Sequence, residues 1–315
     1  MPVKHLGQKT FGTIDHNAIM AALAIEKVGV GSTAEVTDTN TFWEKMSDLP
    51  GNEWTDLGYI EGKTFNTVTY SGADLVTCRG DWPGKTWHYK NCVFDFRNVP
   101  LGDQDEAFSV VYGATATLEN CVIIGAKKAI LCGTGDDGDW GGRLTMRNCL
   151  ILGCGRRTPE AQQGYTVTMD RCWIHNWGIE ETFDVRAFAT WAHDDAKITI
   201  TNCIYTRNSG LGSNDARDIA EWIGWYTNEY GVLAAVGKDR YGLSGSLRAI
   251  EKIGGGTIIA EHNYRNQDDF VTGGDTCWSM TKNEADALIA ALEAICPDLQ
   301  PIVGKTLSQY WAAEV

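Results

Sequence analysis

Along the middle of the chain, apolar and polar residues alternate with period two, and an Asn-Cys pair interrupts the alternation at regular intervals. Tyr89-Lys90-Asn91-Cys92-Val93-Phe94 and Leu118-Glu119-Asn120-Cys121-Val122-Ile123 share the pattern, which returns at 146–151, 169–174 and 200–205, with Arg171 once replacing Asn. The five cysteines (92, 121, 149, 172, 203) are 29, 28, 23 and 31 residues apart, and Thr117, Thr145, Thr168 and Thr199 lead into four of the copies. Alternation of this kind is the signature of a strand with one buried face. Asn tolerates the left-handed backbone of a sharp corner. Each copy therefore reads as two short strands bent at a corner, with Leu118, Cys121 and Ile123 facing inward and Glu119 outward. Units this short cannot bury an apolar side alone, but strands stacked about 4.8 Å apart form one continuous core. The expected fold is an all-β solenoid with the five cysteines as an interior ladder of thiols. Five copies in register argue against a β-sandwich with chance Asn-Cys pairs.

The same alternation turns the residue after each cysteine outward, and these are Val93, Val122, Leu150, Trp173 and Ile204. A solvent-facing row would be polar. Covering side chains of this size is worth roughly 1.5–3 kcal/mol each, so something is expected to lie on the row. The candidates are a helix at 15–27, the segment 215–230, or a neighbouring subunit.

The flanks of the repeat read as helices. Residues 15–27 are amphipathic, with Asp15 as cap and Gly29 beyond, and a second helix is expected at 41–49. Ile219, Trp222, Ile223 and Tyr226 recur at helical spacing. Thr281 and Glu284 form a capping box for a helix over 284–296, stopped by Pro297. A solenoid leaves unpaired edges and an open core at each end, so these helices are expected as end caps. The organisation is then an N-terminal cap over 1–63, a core over 64–210, and an insertion, last coil (256–264) and cap helix over 211–315.

Composition narrows the functions. The 315 residues are 43% hydrophobic and 22% charged, ordinary for a globular protein, but 27 basic against 41 acidic residues give a net charge of −14. Nucleic-acid binding needs a basic footprint, and adhesion to anionic membranes needs the same, so neither is expected. No apolar run reaches the roughly 18 residues of a spanning helix. The ten cysteines include no CxxC and no zinc spacing, so the expectation is buried, reduced thiols and folding in a reducing cytoplasm. The first residues carry no apolar stretch of the secretory type, which fits that compartment.

The corner pattern resembles the right-handed parallel β-helix of the pectate-lyase-like superfamily over roughly 64–210, with a further coil at 256–264. There the corner between the second and third sheets reads apolar-x-Asn-Asn-x-apolar, and here Cys stands at the second Asn. The resemblance implies a β-helix with short helical caps and insertions. It leaves activity open, because the architecture serves lyases, hydrolases, isomerases, adhesins and virus tailspikes.

Lyases of this superfamily use an Arg base and often Ca²⁺ held by Asp, and its hydrolases use paired Asp. The corresponding candidates are Asp184, Arg186, His193, Asp194 and Asp195, with His175 one coil earlier. The superfamily's motifs are incomplete, however. Arg156-Arg157-Thr158-Pro159 only approaches the lyase Arg-x-Pro-x-x-Arg. Trp173-Ile174-His175-Asn176 stands where lyases carry Trp-Ile-Asp-His, and the Asp-Asp pair lacks the Gly-His-Gly of polygalacturonases. The plainer reading of the cluster is charged loops solvating a turn. Asp136, Asp137 and Asp139 are closely spaced oxygen ligands of the kind Ca²⁺ takes, without the rest of an EF-hand, and otherwise read as a solvated turn. No other cofactor is expected. Trp173, Trp177 and Trp191 are candidate platforms for sugar rings.

Two functions follow. The favoured one is a structural or adhesive component of a larger assembly, a phage virion head-decoration or spike protein, partnered by other virion proteins or itself and contacting glycan. The alternative is a polysaccharide lyase or glycoside hydrolase acting on an acidic glycan in the groove around 184–195.

Overall fold

The structure, a computed structural model, describes residues 10–14, 33–36, 41–45, 54–56, 60–66, 76–79, 86–97, 106–125, 128–133, 141–154, 159–177, 188–192, 195–206, 248–252, 256–266 and 277–314. The strands between 60 and 265 stack into three sheets, all of whose pairings are parallel. One turn of the chain gives one strand to each sheet. Val76–Arg79, Thr86–Lys90 and Val93–Asp95 make one turn, and Glu106–Val111, Thr115–Glu119 and Val122–Ile124 lie on it in register. The pattern continues to Arg248–Lys252, Thr257–Glu261 and Tyr264–Arg265. This is the arrangement of a β-helix-like solenoid, all-β and parallel as the corner repeat predicts. The lowest described rung is Ile60–Glu61 and Thr64–Phe65, which pair beneath Tyr89–Lys90 and Val93–Phe94.

The corners form as the sequence requires. Asn91, Asn120, Asn148, Arg171, Asn202 and His262 all hold φ between 52° and 54°, and Gly62 takes that place in the lowest rung at φ 68°. The Asn side chains convert this strain into a ladder. Asn148 Nδ2 donates to Asn120 Oδ1 and Asn120 Nδ2 to Asn91 Oδ1, each at 3.0 Å, and Asn91 Nδ2 ends on Glu61 Oε1 at 2.9 Å. Arg171 breaks the ladder, and above it Asn202 bonds Asp170 instead.

Inside each corner, Cys92, Cys121, Cys149, Cys172 and Cys203 are fully buried free thiols. Each Sγ donates to the carbonyl two residues before it, and those of Cys92, Cys121 and Cys149 also to a carbonyl of the coil below. The thiols thus satisfy backbone groups while filling apolar space. Residues 277–280 close the last described coil: Asn263 N–H donates to Cys277 O at 2.8 Å, and Met280 N–H to Asn263 O at 3.2 Å.

The outward row is covered, as expected. Val122, Leu150, Trp173 and Ile204 are fully buried and Val93 is nearly so. The covering element differs from the expectation. Three helices, α1 (Lys282–Ile295), α2 (Gln300–Val303) and α3 (Leu307–Glu314), lie along the flank of the third sheet. Leu288, Ile289 and Leu292 of α1 and Tyr310 and Trp311 of α3 pack on the row. The helix read as an end cap is therefore a side cover, because its apolar face matches the apolar row better than an open coil. Its N-terminus is the predicted capping box, with Thr281 and Glu284 bonding each other's backbone N–H groups.

A second expectation is overturned at the N-terminal side. Residues 41–49 were expected to be helical, but Thr41–Lys45 is a strand, antiparallel to Thr33–Val36 and Trp54–Asp56. Thr-Phe-Trp is rich in β-formers, and partners on both sides decide the state. Thr10–Ile14 adds a fourth strand, parallel to Thr33–Val36. The helices expected at 15–27 and 215–230 lie outside the described residues.

Candidate functional site

The second sheet presents an outer face to solvent. Its strands alternate exposed and buried residues, as in the patterns of Thr86–Lys90, Thr115–Glu119, Arg143–Arg147, Thr166–Asp170 and Lys197–Thr201. Down its centre Thr117, Thr145, Thr168 and Thr199 are in register on successive strands, with His88 below and Ile259 above. Hydroxyls about 4.8 Å apart thus line the sheet. On either side run charged residues. Arg143 and Lys197 lie two strands apart with Thr166 between them, and Arg147 is on the far side. All three cations are exposed, and none is ion-paired among the described residues. Lys90 and His88 instead hold Glu119, at 3.7 and 3.6 Å. On a chain of net charge −14, a face with unpaired cations and a hydroxyl row is a local departure. The sequence carries its signal in the Thr residues before four of the corners, which by themselves mark only the incoming strand.

Of the residues expected to form a catalytic groove, His175 and Asp195 are described, and they stand at different sheets. His175 lies in Trp173–Trp177 on the third sheet and is fully buried beneath the helices. Its Nδ1 is 2.8 Å from Thr206 Oγ, and burial pushes its pKa down to about 3. Asp195 stands exposed, at φ 61°, in the turn entering the second-sheet strand Lys197–Thr201. Asp184, Arg186, His193 and Asp194 lie outside the described residues, as do Asp136, Asp137 and Asp139. Among the described residues no group of three His, Cys, Asp or Glu is placed to hold a metal ion.

Trp173 is not a sugar platform in this state. Its ring is fully buried, with Trp311 edge-on at 5.4 Å and Tyr310 at 6.0 Å, and its Nε1–H donates to Thr206 Oγ at 2.6 Å. An apolar ring in the outward row is the natural seat for the cover. Trp177 pairs with Cys154, and Trp191 lies in register between Glu160 and Glu251; the side chains of both tryptophans lie outside the described residues.

A cleft of about 190 Å³ opens beside Leu150, lined by Glu293, Cys296, Asp298 and Leu307. Its polar groups are engaged: Glu293 accepts from the amide and hydroxyl of Ser308, and Cys296 Sγ donates to Asn148 O at 3.0 Å. Burial raises the Cys296 thiol to about 12, so it is no nucleophile at neutral pH.

No protein-family model and no curated protein matches the chain. No helix among the described residues is long and apolar enough to cross a membrane.

Proposed function

We propose that the chain is a structural or adhesive right-handed parallel β-helix of the pectate-lyase-like kind, a head-decoration or spike component of a phage virion. Its second-sheet face is the contact surface, for an acidic glycan or for neighbouring virion proteins. The observation that carries this reading is the in-register hydroxyl row flanked by Arg143, Arg147 and Lys197, exposed and not ion-paired among the described residues. Such a face offers many weak, regularly repeated hydrogen bonds and charge contacts. It suits retention of an extended polar partner along the sheet.

The test is to pass acidic polysaccharides over the immobilised full chain and to assay the same mixtures for reducing ends and for unsaturated products absorbing at 235 nm. The expected result is retention without cleavage, weakened about tenfold when Arg143 and Lys197 are both changed to Gln, the loss of two exposed charge contacts at roughly 0.7 kcal/mol each. Sustained turnover in either product assay overturns the structural reading in favour of a lyase or hydrolase.

A further inference from the structure

Beside the apolar row on the third sheet runs a second outward row, Asp95, Ile124, Leu152, His175 and Thr206, in register on successive strands. Its lower end is tied to the cover by Arg97, which holds Asp95 at 2.8 Å and donates from Nη1 to Ile302 O at 2.7 Å. Its upper part places a titratable ring within an otherwise apolar interface. Tyr310 of α3 meets the His175 ring edge-on at 5.3 Å, Trp173 lies 5.2 Å away, and Thr206 Oγ is shared between His175 Nδ1 and Trp173 Nε1.

We propose that His175 is an acid-sensitive latch: a proton taken up there releases the C-terminal helices from the third sheet and bares the apolar row beneath them. With the helices docked, the ring is enclosed and burial holds its pKa at about 3. Once they lift, it meets water and titrates near its ordinary 6.5. Below pH 6.5 the released form therefore binds a proton that the docked form refuses. The gain in release is about fivefold over the first pH unit and approaches tenfold per unit below it, until the docked ring begins to titrate toward pH 3.

The other charged groups of the interface act elsewhere or at lower pH. Asp95 is three rungs down its row and bound to Arg97. Lys305 lies over Tyr310, and Lys282 over Trp311 while bonding Asp286. Glu284 is held below the ordinary carboxylate range by Thr281, and Asp286 by Lys282 and Trp311. Their contribution is lost as pH falls from the ordinary 4.5 of Glu284 and 3.8 of Asp286 through the lowered values, beneath the pH 6.5–5.0 range in which His175 is read. His262 stands 3.8 Å from Glu284 of α1, a contact that ties the last coil to the docked helix.

The test is amide hydrogen exchange of the full chain, corrected for intrinsic rates, between pH 6.5 and 5.0. The opening constant of α1 and α3 is expected to rise about 16-fold, less than tenfold per unit because the released ring is already half protonated at pH 6.5. The interior strand Thr115–Glu119 should not follow, and His175→Gln should flatten the response. An unchanged helix opening, an equal rise in His175→Gln, or a rise shared by Thr115–Glu119 overturns the latch. Should that variant not fold, the wild-type imidazole decides: titration near 3 with the helices docked supports the proposal, and near 6.5 with them docked overturns it.

Discussion

The backbone N–H of Cys203 donates to Asn263 Oδ1 at 2.8 Å, while Asn263 Nδ2 reaches Ile200 O at 3.4 Å. One coil below, the corresponding amide, that of Cys172, meets Cys203 Sγ, at 3.4 Å. Asn263 and the cysteines thus occupy one interior row, and Asn makes the stronger bond. Asn263→Ala should cost about 1–3 kcal/mol, because it orphans a buried donor. Asn263→Cys should recover part of that loss. Urea denaturation of the three proteins checks the order.

The thiols of this row should differ in reactivity with their place in it. Burial raises Cys121, Cys149, Cys172 and Cys203 well above the ordinary thiol value. Cys92, at the lower end, is lowered, chiefly by its hydrogen bond with the Cys121 thiol. Since the thiolate is the nucleophile and all five thiols are fully buried, iodoacetamide at pH 8 should reach them only as the coils open, with Cys92, at the end of the row, labelled before the other four. Peptide mass spectrometry of a time course reads the order. Labelling of Cys149 at the rate of a free thiol would contradict the buried ladder.

Five corners were legible because Asn and Cys recur at fixed places, and a left-handed corner with a small inward side chain is a local demand. Two rungs were harder. Gly62 serves the lowest corner by backbone freedom alone, and His262-Asn263 solves the last with other residues. The first-sheet strands carry no corner motif, and their register comes from stacking on neighbours rather than from local pattern. The outward row announced a cover without naming it, since any amphipathic helix satisfies an apolar row. Trp173 and His175 looked like site residues only while the cover was assigned elsewhere. The hydroxyl face was visible as Thr117, Thr145, Thr168 and Thr199, but period-two spacing by itself does not separate a contact face from a solvated one.

Gly142 should be intolerant of a side chain although its neighbour in type, Gly153, is not crowded. A Cβ at Gly142 would run into the Tyr165 ring and lie 2.5 Å from Ala114 O, the acceptor of the Arg143 amide. Tyr165 cannot yield freely, because it is fully buried and its hydroxyl accepts from Gly113 N–H at 2.9 Å. Gly142→Ala is expected to cost about 3 kcal/mol, the upper range of overpacking. At Gly153, where φ is 69° and nothing lies within 4 Å, alanine meets only the left-handed backbone, about 1–2 kcal/mol. Thermal melts of the pair separate crowding from backbone preference.

Trp311 ties the two longer cover helices to each other and to the sheet. Its ring meets Trp173 at 5.4 Å and Tyr264 at 5.9 Å, and its Nε1–H donates to Asp286 Oδ1 at 2.7 Å, tying α3 to α1. Trp311→Ala removes the ring that seals the upper outward row and leaves a void against Trp173. Truncations of this kind cost about 3–5 kcal/mol, enough to populate a form with the helices lifted. That form bares Leu150, Trp173 and Ile204 together, a contiguous apolar row on a sheet flank. The variant should therefore self-associate with rising concentration while the wild type does not, as sedimentation velocity would resolve. Ile295→Ser is the control, since that residue is 39% exposed and its change should leave association untouched. A monomeric Trp311→Ala with native helix exchange rates would mean that α1 alone holds the cover in place.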